Sequence, residues 1–190
     1  AGAGTGISTR EFAADGTRPV ALDLSREMVA AVAAGERVQG DFDALPFSER
    51  SFDAVAFTAS LFLTPDPETA AHEAARVLRP DGVVGAVAPL GWVDADGTDV
   101  FATLDRESRS PADVATVETA LEDAFTVDSG VWAFETTAED VRRFHSIPAM
   151  AARLYPRLSP EERVEAARDL LANLDGPVEQ RWQWFVGVHR

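Results

Sequence analysis

The chain begins with a glycine-rich segment suited to holding an anionic ligand. Gly2, Gly4 and Gly6 let the backbone turn sharply and approach a ligand closely. A helix starting directly afterwards would offer unpaired N–H groups and the positive end of its dipole, which favour a carboxylate or a phosphate. The spacing G-x-G-x-G departs from the dinucleotide fingerprint G-x-G-x-x-G, because Ile7 stands where that pattern has a glycine or alanine. Glycine loops are common, so this segment alone predicts only an anion site.

An acidic residue follows at the end of the first apolar run, residues 19–24 (PVALDL). Such a run is typical of a buried parallel strand, and it places Asp23 near the strand end. A carboxylate there can accept hydrogen bonds from both hydroxyls of a ribose. Several classes of nucleoside-binding enzyme have an acid at this place, so Asp23 predicts a nucleoside without selecting the reaction.

Two further segments narrow the interpretation. Residues 40–47 read GDFDALPF and are followed by Ser51, Phe52 and Asp53, while residues 76–82 read RVLRPDG. Together with the glycine loop and Asp23, and in this order, these segments resemble the class I S-adenosylmethionine-dependent methyltransferases. The resemblance is to the small-molecule branch, type 11 or ubiquinone-biosynthesis-like. It is specific over about residues 1–90 and loose beyond them.

The resemblance implies S-adenosylmethionine as the cofactor and assigns residues to each of its parts. The loop Gly2, Ala3, Gly4 and Gly6 would pass the methionyl portion, and the backbone of Thr58 would contact the same end. Asp23 would bind the ribose, and the adenine would meet four residues: Leu24 and Met28 as walls, the Asp41 carboxylate, and the backbone N–H of Phe42. Asp43 and Glu49, in the same region, are expected to be solvated.

The sequence departs from the family at two places. Phe62 replaces a family histidine after the second long strand, which puts catalytic use of that position in doubt. In the family an apolar strand, ending in an acid, precedes the glycine loop and lies centrally in the sheet. Neither feature is present, so we expect the natural chain to be longer by one strand and one or two helices.

The elements that must position these residues alternate between strand and helix. Strands are predicted over residues 19–24, 52–57 and 83–88, with helices over 26–34 (capped by Ser25) and from Pro67 to a turn at 79–82. Residues 92–111 are expected to be loop. The remainder is predicted as helices over 112–124, 138–145 and 160–171 and strands over 125–134 and 183–189. The expected α/β fold is Rossmann-like, a mostly parallel twisted sheet with helices on both faces and its first strand missing.

Length and composition favour one soluble domain over residues 1–190, with a cofactor-binding half (1–90) and an acceptor-side half (91–190). The formal net charge is −15 and lysine is absent, which disfavours a nucleic-acid partner. Neither a membrane span nor a secretory signal is apparent, and cysteine is absent, so a cytoplasmic location is expected. The acidity fits either a salt-rich cytoplasm or a GC-rich genome, and the oligomeric state stays open.

The acceptor and its chemistry are expected in the second half. His145 is the candidate catalytic base, although a packing or surface role is the favoured interpretation of this residue. Aromatic and apolar residues that could line an acceptor pocket for a small molecule are Trp92, Trp132, Phe134, Phe144, Met150 and Tyr155. Two alternatives remain open: a non-catalytic cofactor-binding or interaction module, and a nicotinamide-dependent oxidoreductase.

Overall fold

The computed structural model describes residues 1–102, 114–152, 154–155 and 157–189. Its helices are α1 (Ile7–Ala14), α2 (Arg26–Ala31), α3 (Pro67–Val77), α4 (Val114–Ala124), α5 (Ala138–His145), α6 (Pro148–Ala151) and α7 (Pro160–Leu170). Its strands are β1 (Val20–Asp23), β2 (Glu36–Gln39), β3 (Phe52–Thr58), β4 (Leu78–Val93), β5 (Phe125–Thr137) and β6 (Pro177–His189). Among these helices, none combines the length and the apolarity needed to cross a bilayer.

The strands form two sheets. β1 pairs with β2 in parallel, and the second sheet has the order β3-β4-β6-β5, in which β3 and β4 are parallel. The predicted α/β architecture with parallel pairing is confirmed, but β1 and β3 belong to separate sheets, so the sheet is not continuous.

The chain divides into two compact units. The first comprises residues 1–88, 111–130 and 183–190, and its largest core cluster includes Phe57, Leu78, Phe125 and Phe185. The second comprises residues 89–110 and 131–182, with a smaller core cluster that includes Val141 and Val178. The organisation as a single domain stays a prediction.

Local sequence signals account for the helices of the cofactor half. The Ser25 side chain accepts a hydrogen bond from the backbone N–H of Met28 (3.3 Å) and caps α2, as predicted. α2 is shorter than expected, because Val32 already has extended backbone angles (φ −65°, ψ 123°). α3 begins at Pro67 after an Asp66 cap and buries the predicted apolar face, formed by Ala70, Ala71, Ala74, Val77 and the following Leu78.

Two features of the strands differ from the sequence prediction. β2 was not predicted, because its sequence ERVQ has no apolar alternation and its residues are largely exposed. Residues 79–82, predicted as a turn, form an irregular excursion within β4: Leu78 pairs with Phe52 and Val83 pairs with Ala54. β4 therefore inserts four residues where β3 inserts one.

The elements of the second half largely match their predictions. α5 has the predicted bounds, and α7, β5 and β6 cover their predicted segments with β5 and β6 extended. α4 is present from Val114, and residues 112–113 of that predicted helix lie outside the described residues. In the predicted loop, residues 92–93 belong instead to β4, and residues 103–111 fall outside the described part.

Candidate cofactor site

The carboxyl ends of β1 and β2 meet at one edge of their sheet. The N–H of Gly40, directly after β2, donates to the carbonyl of Asp23 at the end of β1 (3.0 Å). The Gln39 side-chain amide donates to the Leu24 carbonyl (3.2 Å). Ligands bind at this edge in open α/β sheets. Of the residues predicted to bind the cofactor, Asp23 and Leu24 lie at the end of β1, and Asp41 and Phe42 come shortly after β2.

The glycine loop folds onto the end of β1. Gly2, Gly4 and Gly6 all have positive φ angles (68°, 54° and 85°), which residues with a Cβ rarely adopt. The N–H of Ala3 donates to the Leu22 carbonyl (2.9 Å), and the N–H of Gly6 donates to the Ala3 carbonyl (3.0 Å). Gly6 is the N-cap of α1 and supplies no side-chain cap. The predicted order of loop followed by helix N-terminus is therefore present.

Asp23 is the residue that ties the loop to β1. Its Oδ2 accepts from the N–H of Gly4 (2.7 Å), and its Oδ1 accepts from the N–H of Ser25 (2.9 Å). Hydrogen bonds to a charged acceptor are among the stronger ones in proteins. Asp23 therefore fixes the shape of the glycine loop before any ligand arrives, a role that the sequence pattern did not reveal.

Gly2 lies where a side chain would collide with its neighbours. An added Cβ would be 2.4 Å from the Cβ of Ser60 and 3.4 Å from the Phe42 ring. The Ser60 hydroxyl donates to the carbonyl of Ala1 (2.7 Å) and is almost completely buried. Ser60 was not predicted as part of this region, because nothing in its local sequence indicates a partner 59 positions away.

The predicted adenine-binding residues are accessible apolar or polar groups at the same edge. The exposed fractions of Leu24 and Met28 are 69% and 42%, which is high for large apolar side chains. Asp41 is exposed, and its Oδ1 accepts from the N–H of Asp43 (3.0 Å). Phe42 packs edge-to-face on the buried Phe57, with the ring centroids 5.7 Å apart.

The expectation for Asp43 is wrong, because this residue is not a solvated loop residue. It is half-buried, its Oδ2 accepts from the Thr64 hydroxyl (2.8 Å), and its Oδ1 is buried with no partner among the described residues. Burial raises the pKa of the Asp43 carboxyl, with the nearby carboxylates of Asp41 and Asp66 acting in the same direction. The structure thus brings a second carboxyl group close to Asp41.

Thr58 and Phe62 lie at the end of β3 and just after it. Thr58 is the last residue of β3 and pairs with Val87, which places its backbone at a strand end, as predicted for a methionyl contact. Phe62 is buried in a short 3-10 helix (Leu61–Leu63) and packs in the main core of the first unit. The residue that replaces the family histidine is therefore part of the core.

Two side chains of α3 hold the segment that follows Phe42. The Arg76 guanidinium donates from Nη1 to the Phe47 carbonyl (2.8 Å) and from Nη2 to the Leu45 carbonyl (2.9 Å). Glu73 pairs with Arg76 through both carboxylate oxygens (2.7 Å each) and also accepts from the N–H of Leu45 (2.8 Å). These bonds with Arg76 hold the pKa of the Glu73 carboxyl below its ordinary value.

Replacing Arg76 with alanine is expected to lower the free energy of unfolding by about 2 kcal/mol, because two carbonyls and a carboxylate lose a charged partner. Arg76→Lys should recover only part of this loss, since an ammonium group cannot reproduce the planar guanidinium fork. Urea denaturation measures the effect. Arg79→Ala is the matched control, because Arg79 makes a surface pair with the exposed Asp53 and should cost about 0.5 kcal/mol or less. Equal losses at the two arginines would contradict the assignment.

The nitrogen of Ala1 donates to the carbonyl of Ala56 (2.8 Å), which places the start of the glycine loop beside β3.

The second unit holds His145 and all five aromatic candidates for the acceptor pocket. His145 is 5% exposed, and its Nδ1 is 2.8 Å from the Val141 carbonyl one turn earlier in α5. The centroid of its ring is 5.1 Å from that of Phe144 and 5.0 Å from that of Phe101. The ring centroids of Trp92 and Phe144 are 5.8 Å apart. The catalytic role of His145 stays a prediction.

The other aromatic candidates form a second group within the same unit. Trp132 stacks on both Phe134 and Trp182. Its ring centroid is 5.6 Å from that of Phe134 and 6.3 Å from that of Trp182. Trp132 and Phe134 are 45% and 40% exposed. Tyr155 is half-buried, and burial raises the pKa of its hydroxyl. Four of the predicted residues thus fall into two groups: Trp92 and Phe144 pack near His145, while Trp132 and Phe134 of β5 form a stack with Trp182 of β6.

The first part of the chain is similar in sequence to known methyltransferases. The family model described as "Methyltransferase domain" matches residues 1–86. The demethylmenaquinone methyltransferase of Mycolicibacterium vanbaalenii is 44% identical over 82 residues, which are 42% of this chain. The matched part spans only 36% of that relative's length.

Solved structures extend the similarity to the fold of the whole chain. Phosphoethanolamine N-methyltransferase 2 from Haemonchus contortus, in complex with S-adenosyl-L-methionine, superposes with a TM-score of 0.61 at 18% identity over 99% of this chain and 47% of that one. The 4+2 cyclase SpnF superposes with a TM-score of 0.65 at 20% identity over 99% of this chain and 72% of that one. Enzymes with different reactions share this architecture, so the fold alone does not select the reaction. Residues 1–86 are therefore similar to the methyltransferase domain family, and the chain has the Rossmann-like α/β fold of these solved structures.

Proposed function

We propose that this protein is an S-adenosylmethionine-dependent methyltransferase that acts on a small molecule. The observation that supports the proposal most directly is the hydrogen bond between the glycine loop and Asp23. The N–H of Gly4 donates to the Asp23 carboxylate (2.7 Å) at a strand end. Both residues lie within residues 1–86, the segment that matches the family model.

The residues at this edge fit the cofactor in three respects. Each oxygen of Asp23 is occupied by one backbone N–H, and a carboxylate has about four acceptor sites, so capacity for ribose hydroxyls remains. Apart from Gly4 and its two chain neighbours, no described residue has an atom within 4 Å of the position where a Cβ would stand on Gly4, so a ligand can approach that backbone closely. The exposed Leu24 and Met28 offer apolar surface for adenine.

The cofactor supplies a methyl group on a sulfonium when bound. This chain's contribution would be to hold and orient the reacting groups: Asp23 fixes the loop and the ribose, while Asp41 and the backbone of Phe42 fix the adenine. Most of the rate can come from such positioning at near-attack distance. A base is needed only for an acceptor that must lose a proton, which is the role proposed for His145.

The acceptor is proposed to be a small molecule with apolar or aromatic character. Support comes from the exposed stack of Trp132 and Phe134 in the acceptor-side half. The curated relative is named for demethylmenaquinone, but the family match ends at residue 86, before that half begins. Its acceptor is therefore not transferred to this chain.

Calorimetric titration with S-adenosylhomocysteine and with NAD⁺ tests the cofactor. Binding of the first and not of the second is expected, whereas binding of NAD⁺ alone would favour the oxidoreductase. Transfer of a labelled methyl group to a panel of phenols, quinols and amines then tests the reaction. Binding without transfer to any acceptor would favour a non-catalytic module.

His145→Ala tests the proposed base in the same assay. Turnover on an acceptor that must lose a proton should fall by about 10²–10⁴-fold with unchanged cofactor affinity. Because His145 is buried, circular dichroism must show that the variant is folded. A folded variant with unchanged turnover would rule out the catalytic role.

A further inference from the structure

Three side chains that can bind a metal ion converge where α3 and α4 lie side by side. Glu68 and His72 are four positions apart on α3, which places them on one face of that helix, and Asp123 comes from the last turn of α4. The Nε2 atom of His72 is 3.0 Å from Oδ2 of Asp123 and 4.0 Å from Oε1 of Glu68. One potential ligand atom from each residue lies within 4.8 Å of the other two, and all three residues are exposed, so a dissolved cation can reach them.

The two helices that carry these side chains are held together by a buried interface. Both helices belong to the first unit and pack against each other. The apolar residues on their inner faces are at most 5% exposed and belong to one core cluster: Ala70, Ala71 and Ala74 of α3, and Val117, Ala120 and Leu121 of α4. Core packing therefore fixes the separation of the two backbones, and a ligand set on such rigid elements is preorganised for an ion.

The separations between the side chains are close to those that a tetrahedral zinc site requires. Bonds from zinc to imidazole nitrogen and carboxylate oxygen are about 2.0–2.2 Å long, so two of its ligand atoms stand about 3.3 Å apart. The separation of His72 from Asp123 is slightly shorter than this value, and that of His72 from Glu68 is longer. Side-chain shifts of less than about 1 Å would therefore complete the geometry, with a fourth position left for water.

The charges on the two helices favour a cation at this place. Glu122 and Asp123 lie in the last turn of α4, where the negative end of the helix dipole disfavours carboxylates, and α4 contains no lysine or arginine. The single arginine of α3, Arg76, is engaged by Glu73 and by two carbonyls. Within these two helices His72 is therefore the remaining basic side chain. With a neutral imidazole, Glu68 and Asp123 carry a charge of −2, which a divalent cation would balance.

We propose that Glu68, His72 and Asp123 form a binding site for a zinc ion that ties α3 to α4. An imidazole nitrogen together with carboxylate oxygens suits Zn²⁺, whereas Mg²⁺ and Ca²⁺ prefer ligand sets made only of oxygen. An ion that binds the folded chain and not the unfolded one would stabilise the first unit. None of the three residues belongs to the proposed cofactor site, so the ion would have a structural role and no part in methyl transfer.

Calorimetric titration of zinc chloride into the chain, freed of metal with EDTA and then desalted, tests the site. An excess of magnesium chloride occupies carboxylates that attract any divalent cation. One zinc ion per chain is expected. His72→Ala and Asp123→Asn should each weaken binding by at least about tenfold, because losing even an outer-shell partner of a metal ligand costs about 10–100-fold. Glu122→Gln is the matched control, since it removes the same charge from the neighbouring position of α4 and should change the affinity by less than about twofold.

The side-chain NMR signals of the three histidines locate the ion. Zinc should shift the ring signals of His72 and leave those of His145 and His189 in place. Binding that persists in His72→Ala, or that is weakened equally by Glu122→Gln and Asp123→Asn, would overturn the proposal by showing general attraction to an acidic surface. No binding to the folded parent chain would also overturn it, and would leave His72 as a partner of the two carboxylates alone. Neither measurement involves S-adenosylhomocysteine or methyl transfer, so failure here is separate from failure of the proposed function.

Discussion

Replacing Asp23 with alanine is expected to weaken binding of S-adenosylhomocysteine by about 100-fold or more. The carboxylate holds Gly4 and Ser25 through two hydrogen bonds and is the proposed acceptor for the ribose hydroxyls. A hydrogen bond to a charged group contributes about 1.5–3 kcal/mol, and 1.4 kcal/mol changes an affinity tenfold. Loss of the ribose contacts and release of the loop act in the same direction, and calorimetric titration measures the sum.

Two further substitutions test whether the loss of affinity comes from the charge and the position of Asp23. Asp23→Asn keeps the shape and one acceptor oxygen but loses the charge, so its loss of affinity should be intermediate. Asp15→Asn is the matched control, because Asp15 is an exposed carboxylate at the C-terminus of α1, and its affinity should be unchanged. An Asp23→Ala protein that is folded and binds as tightly as the parent would contradict the proposed site.

Replacing Gly2 with alanine should lower the free energy of unfolding by about 3 kcal/mol or more. The added Cβ would stand 2.4 Å from the Cβ of Ser60, closer than any packed pair, and the backbone has φ 68°. Strain at positive φ costs about 1 kcal/mol and overpacking typically a further 1–3 kcal/mol. Chemical denaturation measures the change.

Gly4→Ala separates the two contributions. Gly4 also has positive φ (54°), but among the described residues other than its chain neighbours no atom lies within 4 Å of the added Cβ, so only the backbone cost of about 1 kcal/mol is expected. Adding Ser60→Gly to Gly2→Ala should recover part of the loss, because it removes the colliding atom. Equal costs at Gly2 and Gly4 would show that the contact with Ser60 is unimportant.

The features predicted correctly from sequence depend on short-range patterns. The Ser25 cap, the start of α3 at Pro67 and the alanine-lined face of α3 follow from residues within a few positions of each other. The strand carrying Asp23 and its position after the glycine loop follow from an apolar run and the chain order. Such signals act through local backbone geometry and helical period, which the sequence displays directly.

The features that were missed depend on partners distant in the chain. Ser60 acts on Ala1, and Arg76 holds Leu45 and Phe47, across separations of 29 to 59 positions. The burial of Asp43 depends on Thr64, 21 positions later. β2 is a polar edge strand whose pairing with β1 comes from topology and not from apolar alternation. Sequence spacing indicates which groups can bind a ligand, but not which side chains hold those groups in place.

The division of the chain into interleaved units has a consequence for folding during synthesis. The core of the first unit contains Phe57 and Leu78 but also Phe125 and Phe185. The ribosome must therefore release the chain through Phe185 before that core is complete. The core cluster of the second unit extends from Phe101 to Val178, so all its members emerge before Phe185. The segment that matches the family model is made before the second unit but completes its core after it, and until Phe185 emerges it is exposed to chaperones and proteases.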